Sequence, residues 1–261
     1  MIRKLTTADD HAVKALIMQK PAENLFIIGD VEAFGYEQSF QELWGDFDQA
    51  GQLRAVLLRY EENYIPFSLT EFDAQGFAEI INQSKAKPTL SGLKEITEQV
   101  IPYLAIEDSK PRQLYYAKCT NLDAIPQVNT DCVQPLTIAD IDKWVDFLTD
   151  VPEFADSAIS AEAKKRDLEQ GVGRVYYIEA DQKVISTVST AAENSKSAMV
   201  VAVATAQAYK GQGLATLCLT RLIKDLIAEG KELCLFYDNP VAGKLYKKLG
   251  FKDIGYWMLY R

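Results

Sequence analysis

The strongest constraint on the fold is that the chain repeats itself. Residues 2–17, IRKLTTADDHAVKALI, lie over residues 133–148, VQPLTIADIDKWVDFL, with Leu5, Thr6, Ala8 and Asp9 falling on Leu136, Thr137, Ala139 and Asp140. The offset is 131 positions, and it also sets DQAGQLRAVLL (48–58) beside EADQKVISTVS (179–189), each reading as strand, polar turn, strand. Two segments that agree on one offset of about half the chain imply two tandem copies of one α/β fold. Each copy opens with a short strand and an LTxAD turn, from which Asp9 or Asp140 is expected to cap the following helix. Pro126 and the surrounding turn formers, NLDAIPQVNTD, put the boundary at 121–131, giving expected domains 1–125 and 131–261.

Composition narrows the function. The chain has 261 residues, 48% of them apolar, and a formal net charge of −9. That balance disfavours nucleic-acid and anionic-membrane surfaces, which reward clustered Lys and Arg. His11 is the only histidine, and the four cysteines, Cys119, Cys132, Cys218 and Cys234, show no CxxC spacing. No metal site and no hydrolytic triad can be composed from this set. Unclustered cysteines, a polar start and the lack of a membrane-length apolar run set the expectation of a cytoplasmic protein. The halves differ: from residue 131 onward there are 16 basic and 18 acidic residues, net −2, leaving −7 for the first half. The second half is the better host for an anion.

It also holds the sequence for one. AYKGQGLAT (208–216) follows an apolar stretch reading as a strand, and precedes LATLCLTRLIKDLIAEG, whose Leu214, Cys218, Leu222 and Leu226 recur every four residues up to Gly230. A glycine-rich link into a helix N-terminus offers free amides and the positive end of the helix dipole, and Gly211 and Gly213 leave the backbone bare. A purely structural turn is the other reading of a bare GxG. A nucleotide P-loop would need GK[ST], and a dinucleotide fingerprint would need a third glycine where Thr216 stands. The first half has no GxG at the corresponding place, only FSLTEFDAQGFAEIINQ.

VATAQAYKGQGLAT resembles the acyl-CoA-binding segment of the GNAT N-acetyltransferases, with Lys210 where that family usually has Arg. Lysine keeps the charge without the planar fork. NPVAGKLYKKLGF (239–251) is similar to the C-terminal signature of the same family. The likeness covers 131–261 directly and 1–125 through the repeat, so the chain resembles tandem members of the glycine N-acyltransferase-like type. It implies two domains, each a mixed, mostly antiparallel sheet flanked by helices, the first degenerate and the second catalytic. It further implies acetyl-CoA, or another acyl-CoA, as co-substrate and no metal. Lys210, Gly211, Gln212, Gly213, Leu214, Ala215 and Thr216 would hold the diphosphate. Val203 and Thr205, on one side of the preceding strand, would run beside the pantetheine, whose amides pair with strand backbone where two strands splay.

The segment after the helix reads as strand 232–237, helix 240–249 and strand 253–260. Asn239 is either a helix cap alone or also a pantetheine contact. The periodicity predicts a core stripe of Val241, Leu245 and Leu249, with Ala242 and Tyr246 at its edge. By the resemblance, Tyr246 protonates the departing CoA thiolate, as suits a phenol of pKa about 10; a structural edge tyrosine is the plainer reading. Glu179 and Glu193 are candidates for a base, against the simpler reading of solvated strand ends. The implied function is acyl-CoA-dependent N-acyl transfer to a small-molecule or peptide amine, by a monomer or homodimer without nucleic-acid or membrane partners. The alternative is a non-catalytic CoA-binding or regulatory protein.

Overall fold

The computed structural model describes residues 1–105, 111–154 and 159–261, and the chain divides into two compact units. The first holds strands β1 (Ile2–Lys4), β2 (Gln41–Phe47), β3 (Leu53–Tyr60), β4 (Asn63–Ser68) and β5 (Thr89–Leu93), with helices α1 (Asp10–Ile17), α2 (Leu25–Phe34), α3 (Ala74–Asn82) and α4 (Lys94–Val100). The strands lie in the order β1-β2-β3-β4-β5, antiparallel except for the β4/β5 pair. Phe77, Ala78 and Ile81 of α3 and Val100 of α4 pack on Ala55, Leu57, Tyr64 and Leu90, the three- and four-residue spacing putting each helix's apolar face on the sheet. Strand β6 (Arg112–Cys119) spans the point after Tyr116 at which the chain passes from the first unit to the second.

The second unit repeats the order. It contains β7 (Gln134–Pro135), α5 (Ile141–Thr149), α6 (Ala161–Gln170), β8 (Val175–Ala180), β9 (Lys183–Ala191), β10 (Ser197–Thr205), α7 (Leu214–Ala228), β11 (Glu232–Tyr237) and α8 (Pro240–Lys248). Its strands lie in the order β11-β10-β9-β8-β7, again with one parallel pair, β10/β11. Helices α7 and α8 cover one face through Cys218, Leu222, Leu226, Tyr246 and Leu249. Helix α5 covers the other through Trp144, Phe147 and Leu148. The β8–β9 turn, Asp181 and Gln182, has φ of 50° and 61° at its two residues, the twist that lets a two-residue hairpin close.

Two expectations need correction. The last strand, β12 (Lys252–Tyr260), does not stay with its own copy: Trp257–Tyr260 pair antiparallel with Leu90–Leu93 of β5, and residues 253–261 count with the first unit. The second unit instead runs from Ala117 to Lys252, so the boundary expected at 121–131 lies inside it. The linear pattern of a repeat cannot say which copy a terminal strand pairs with, because either placement satisfies the same backbone ladder. Asp9 and Asp140 also do not cap the helices after them. Each turns back on its own turn, Asp9 accepting from the Thr6 amide at 2.9 Å and Asp140 from the Thr137 hydroxyl at 2.7 Å. Both turns are single 3₁₀ turns at the same offset, Thr7–Asp9 and Ile138–Asp140.

Candidate functional site

The site starts where β10 leaves β11. The parallel register covers Ser197, Ala198 and Met199 against Glu232, Leu233 and Cys234; beyond it β10 runs on to Thr205 and β11 to Tyr237. The register against β9 slips between Val201 and Ala204, and Ala202 sits at φ 50°, a conformation a residue with a Cβ rarely holds. A bulge of this kind re-aims backbone groups at a strand edge. Val201, Ala202 and Val203 are only partly buried, unlike Ala198 to Val200 before them. Val203 packs toward α7 and α8. Thr205 exchanges a hydroxyl hydrogen bond with Ser186 at 2.9 Å, and Ser186 also meets Cys218 of α7, so Val203 and Thr205 do share a face.

From Thr205 the chain passes through a 3₁₀ turn, Gln207–Tyr209, into the glycine link. Gly211 and Gly213 have φ of 82° and 81°, and a Cβ on either would meet nothing within 4 Å. These glycines are required by the backbone turn, and the space above them is open. Gly213 is the N-cap of α7, with no side chain bonded to the helix amides. The Lys210 amide reaches Gln207 O and the Leu217 amide reaches Gly213 O; among the described residues no backbone carbonyl takes the amides of 211–216. A 15-residue helix thus points its unpaired amides and its positive end into that space. Lys210, Gln212 and both glycines are exposed, while Leu214, Ala215 and Thr216 are half-buried in the first turn. The Lys210 ammonium lies 3.4 Å from Glu153, an exposed pair of little strength.

Helix α8 starts at Asn239, whose side chain accepts from the Val241 amide at 2.9 Å, with Pro240 at the first helical position. The cap role of Asn239 is met, and the residue is otherwise exposed. The stripe on α8 differs from expectation: Val241 is 74% exposed, while Tyr246 is 8% exposed and Gly243 is buried. The helix is turned so that Ala242, Gly243, Tyr246 and Leu249 face inward, because Gly243 lies directly against the Tyr237 ring. Tyr246 meets Tyr237 and Phe251 edge-on, each at 5.9 Å between centroids. Burial alone pushes its phenol up to about 12, so the proton is held through neutral pH.

Glu193 is not a base. Its side chain is fully buried and bound by Arg174 at 2.8 Å, Lys231 at 3.1 Å and the Thr190 hydroxyl. Burial works against its charge, but these partners outweigh it and hold the carboxyl below its usual range. Glu179 sits 3.5 Å from Lys143 on the hairpin, and His11 is exposed in the first unit. Sequence reasoning missed the Ala202 bulge, which no residue type announces, and Gly243, which a glycine inside a helix did announce. A cavity of about 940 Å³ opens on the α5 side, with Phe147, Val151 and Val184 in its wall, Thr205 and Lys210 at one end, and both Asp146, Asp150 and Asp181 and the lysines Lys143 and Lys183 among its charged groups.

Residues 162–260 match the family model of the GNAT acetyltransferases. The match contains the splayed strands, the glycine link and α8. Solved structures share the fold over the whole chain. A Drosophila protein superposes with a TM-score of 0.69 at 12% identity, covering 100% of this chain and 98% of that one. A GCN5-related N-acetyltransferase from Sphaerobacter thermophilus gives 0.65 at 13% identity, over 100% and 94%. A tandem GNAT protein from the clavulanic acid biosynthesis pathway gives 0.58 at 12% identity, over 100% and 97%. No curated protein sequence matches the chain. The architecture is therefore that of GNAT proteins, a mixed, mostly antiparallel sheet flanked by helices. No group of three or more His, Cys, Asp or Glu among the described residues could hold a metal ion, and no helix among them is long and apolar enough to cross a membrane.

Proposed function

We propose that the protein is an acyl-CoA-dependent N-acyltransferase, moving acetyl from acetyl-CoA to a primary amine by direct attack within a ternary complex. The observation that carries this reading is the open row of amides at 211–216 beside the splay of β10 from β11. The row suits a diphosphate, and the free β10 edge from Val200 to Thr205 suits the amide-bearing pantetheine. Lys210 would add charge at the diphosphate, and Asn239, the cap of α8, would contact the pantetheine. The cavity on the α5 side, whose wall carries Asp146, Asp150, Glu153 and Asp181 beside Lys143, Lys183 and Lys210, offers room for the acceptor amine.

In the reaction the amine nitrogen bonds to the thioester carbon while the carbon–sulfur bond breaks. The sulfur takes the Tyr246 proton, and the surplus proton of the amine passes to solvent and restores the phenol. Holding amine and thioester together would supply most of the acceleration, and a backbone amide near the Ala202 bulge would meet the developing oxyanion. The test is to mix the full chain with acetyl-CoA and a broad amine panel while following free thiol. Thiol release that depends on one class of amine supports transfer; tight acetyl-CoA binding with no release above buffer supports a non-catalytic CoA-binding protein instead.

A further inference from the structure

Gly243 sits in the middle of α8, where a glycine weakens a helix. A Cβ there would stand 2.5 Å from Cε2 of Tyr237 and 3.1 Å from two more atoms of the same ring. The glycine is therefore what allows the Tyr237 ring to lie against the helix backbone. Tyr237 is the last residue of β11 and is 8% exposed. One turn along α8 from Gly243, on the same face, is Tyr246, which Tyr237 meets at an interplanar angle of 62° and Phe251 at 63°. No described residue makes a hydrogen bond to the Tyr246 hydroxyl, so packing of rings decides where that hydroxyl points.

We infer that Tyr237, seated on Gly243, is a positioning residue that aims the Tyr246 hydroxyl at the departing CoA sulfur. This rests on the acid role proposed for Tyr246. Substrate does not have to touch Tyr237 for the effect to appear, because a proton donor displaced by about 1 Å loses most of its advantage. The ring also keeps water from Tyr246, whose raised pKa is due to burial alone. The other ionisable side chains of its apolar cluster are Tyr176, Tyr209 and Tyr237 and the thiols Cys119 and Cys218.

The test uses the full chain and compares Tyr237→Ala, Tyr237→Phe, Gly243→Ala and Tyr246→Phe for kcat, KM for acetyl-CoA and the basic limb of the kcat–pH profile. Tyr237→Ala and Gly243→Ala are expected to lower kcat by roughly 10- to 100-fold, with KM for acetyl-CoA within about twofold of the parent. Tyr237→Phe keeps the ring and is expected to keep the rate. In Tyr237→Ala, water reaches the phenol, so its pKa falls and the basic limb moves to lower pH by about one unit. Parent rates and an unmoved limb in both Tyr237→Ala and Gly243→Ala would overturn the inference, and a slow Tyr246→Phe in the same series would leave the acid role standing. Full activity in Tyr246→Phe would remove both. If Tyr237→Ala does not fold, Gly243→Ala and Tyr237→Phe decide: slow and fast respectively support positioning, and two parent rates refute it.

Discussion

The two units carry the same strand-to-helix link in two chemical states. In the first, β4 leads through residues 69–73 into α3, and Asp73 caps that helix by accepting from the Gly76 amide at 2.9 Å. The Asp73 amide is itself taken by the buried carboxylate of Asp46 at 2.9 Å. In the second, β10 leads through the glycine link into α7, with Gly213 at the cap and no side chain bonded to the first turn. The strands splay in both, since β4 pairs with β5 only at Asn63–Thr89 and Tyr64–Leu90. A helix N-terminus after a splayed strand is thus not sufficient for an anion site. The amides must be left open, and the first unit ties down two of its own, those of Asp73 and Gly76, with carboxylates.

The largest expected effect tests whether the copies are independent at all. Because β12 pairs with β5, fragment 131–261 keeps the glycine link but lacks the partner of its last strand. Expressed alone, it is expected to aggregate or self-associate and to melt without a cooperative transition in calorimetry, since an unpaired strand is a template for pairing with other chains. A monomeric fragment with a sharp melt would show that the last strand can return to its own copy, and the comparison of links would then be between separable domains.

Next is Gly213→Asp, which puts the first unit's cap residue into the second. The carboxylate stands where the diphosphate would lie, and a side chain at φ near +81° is tolerated better for Asp than for most residues. Acetyl-CoA affinity, measured by calorimetric titration, is expected to fall at least ~100-fold, as for the loss of a charge-assisted contact row with added repulsion, while the circular dichroism spectrum is kept. Affinity within a few-fold of the parent would mean that the open amides are not the diphosphate site.

Much of this was legible beforehand, for identifiable reasons. The second-unit elements 232–237 and 240–249 were marked by caps and breakers: Asn239, Pro240 and Gly250 each act within a few residues of themselves. Gly211 and Gly213 were legible because φ near 80° is a property of the residue type. The fold of the first unit was legible only through LTxAD and one hairpin, since it has no cradle to mark it. What escaped is non-local. The partner of β12 depends on a ladder formed some 160 residues away in sequence, and the turn of α8 depends on the contact of Gly243 with Tyr237, which placed Val241 outside and Tyr246 inside. Ala202 carries its left-handed conformation where the register with β9 slips, and its side chain says nothing of that.

Asp73→Ala sharpens the comparison from the other side. Removing the first unit's cap frees the Gly76 amide at the N-terminus of α3 and is expected to lower stability by about 1 kcal/mol, read in urea denaturation as a lower midpoint at unchanged slope. Acetyl-CoA binding should not change, because Gly76 faces Ile2 at 2.4 Å from its would-be Cβ and the link still has no second open turn. New acetyl-CoA stoichiometry in this variant would show that the carboxylate alone had been closing a second cradle.

The smallest effect is expected at Lys210. Its side chain is 46% exposed and paired with Glu153 at 3.4 Å, itself 61% exposed. Exposed pairs of this kind contribute at most about 1 kcal/mol, so Lys210→Ala should weaken acetyl-CoA by about two- to fivefold, and less at 0.5 M salt than at 0.05 M, because screening acts on a surface charge and spares the amide row. Lys210→Arg should restore or improve affinity through the planar fork. The size of the loss decides between two pictures of the link. A loss comparable with that of Gly213→Asp would make the site a lysine clamp with glycines as spacers, and the difference between the units would then reduce to one charge. A small, salt-sensitive loss would leave the difference where the geometry puts it, in the backbone amides of 211–216 that one unit leaves open, where the other ties down those of Asp73 and Gly76.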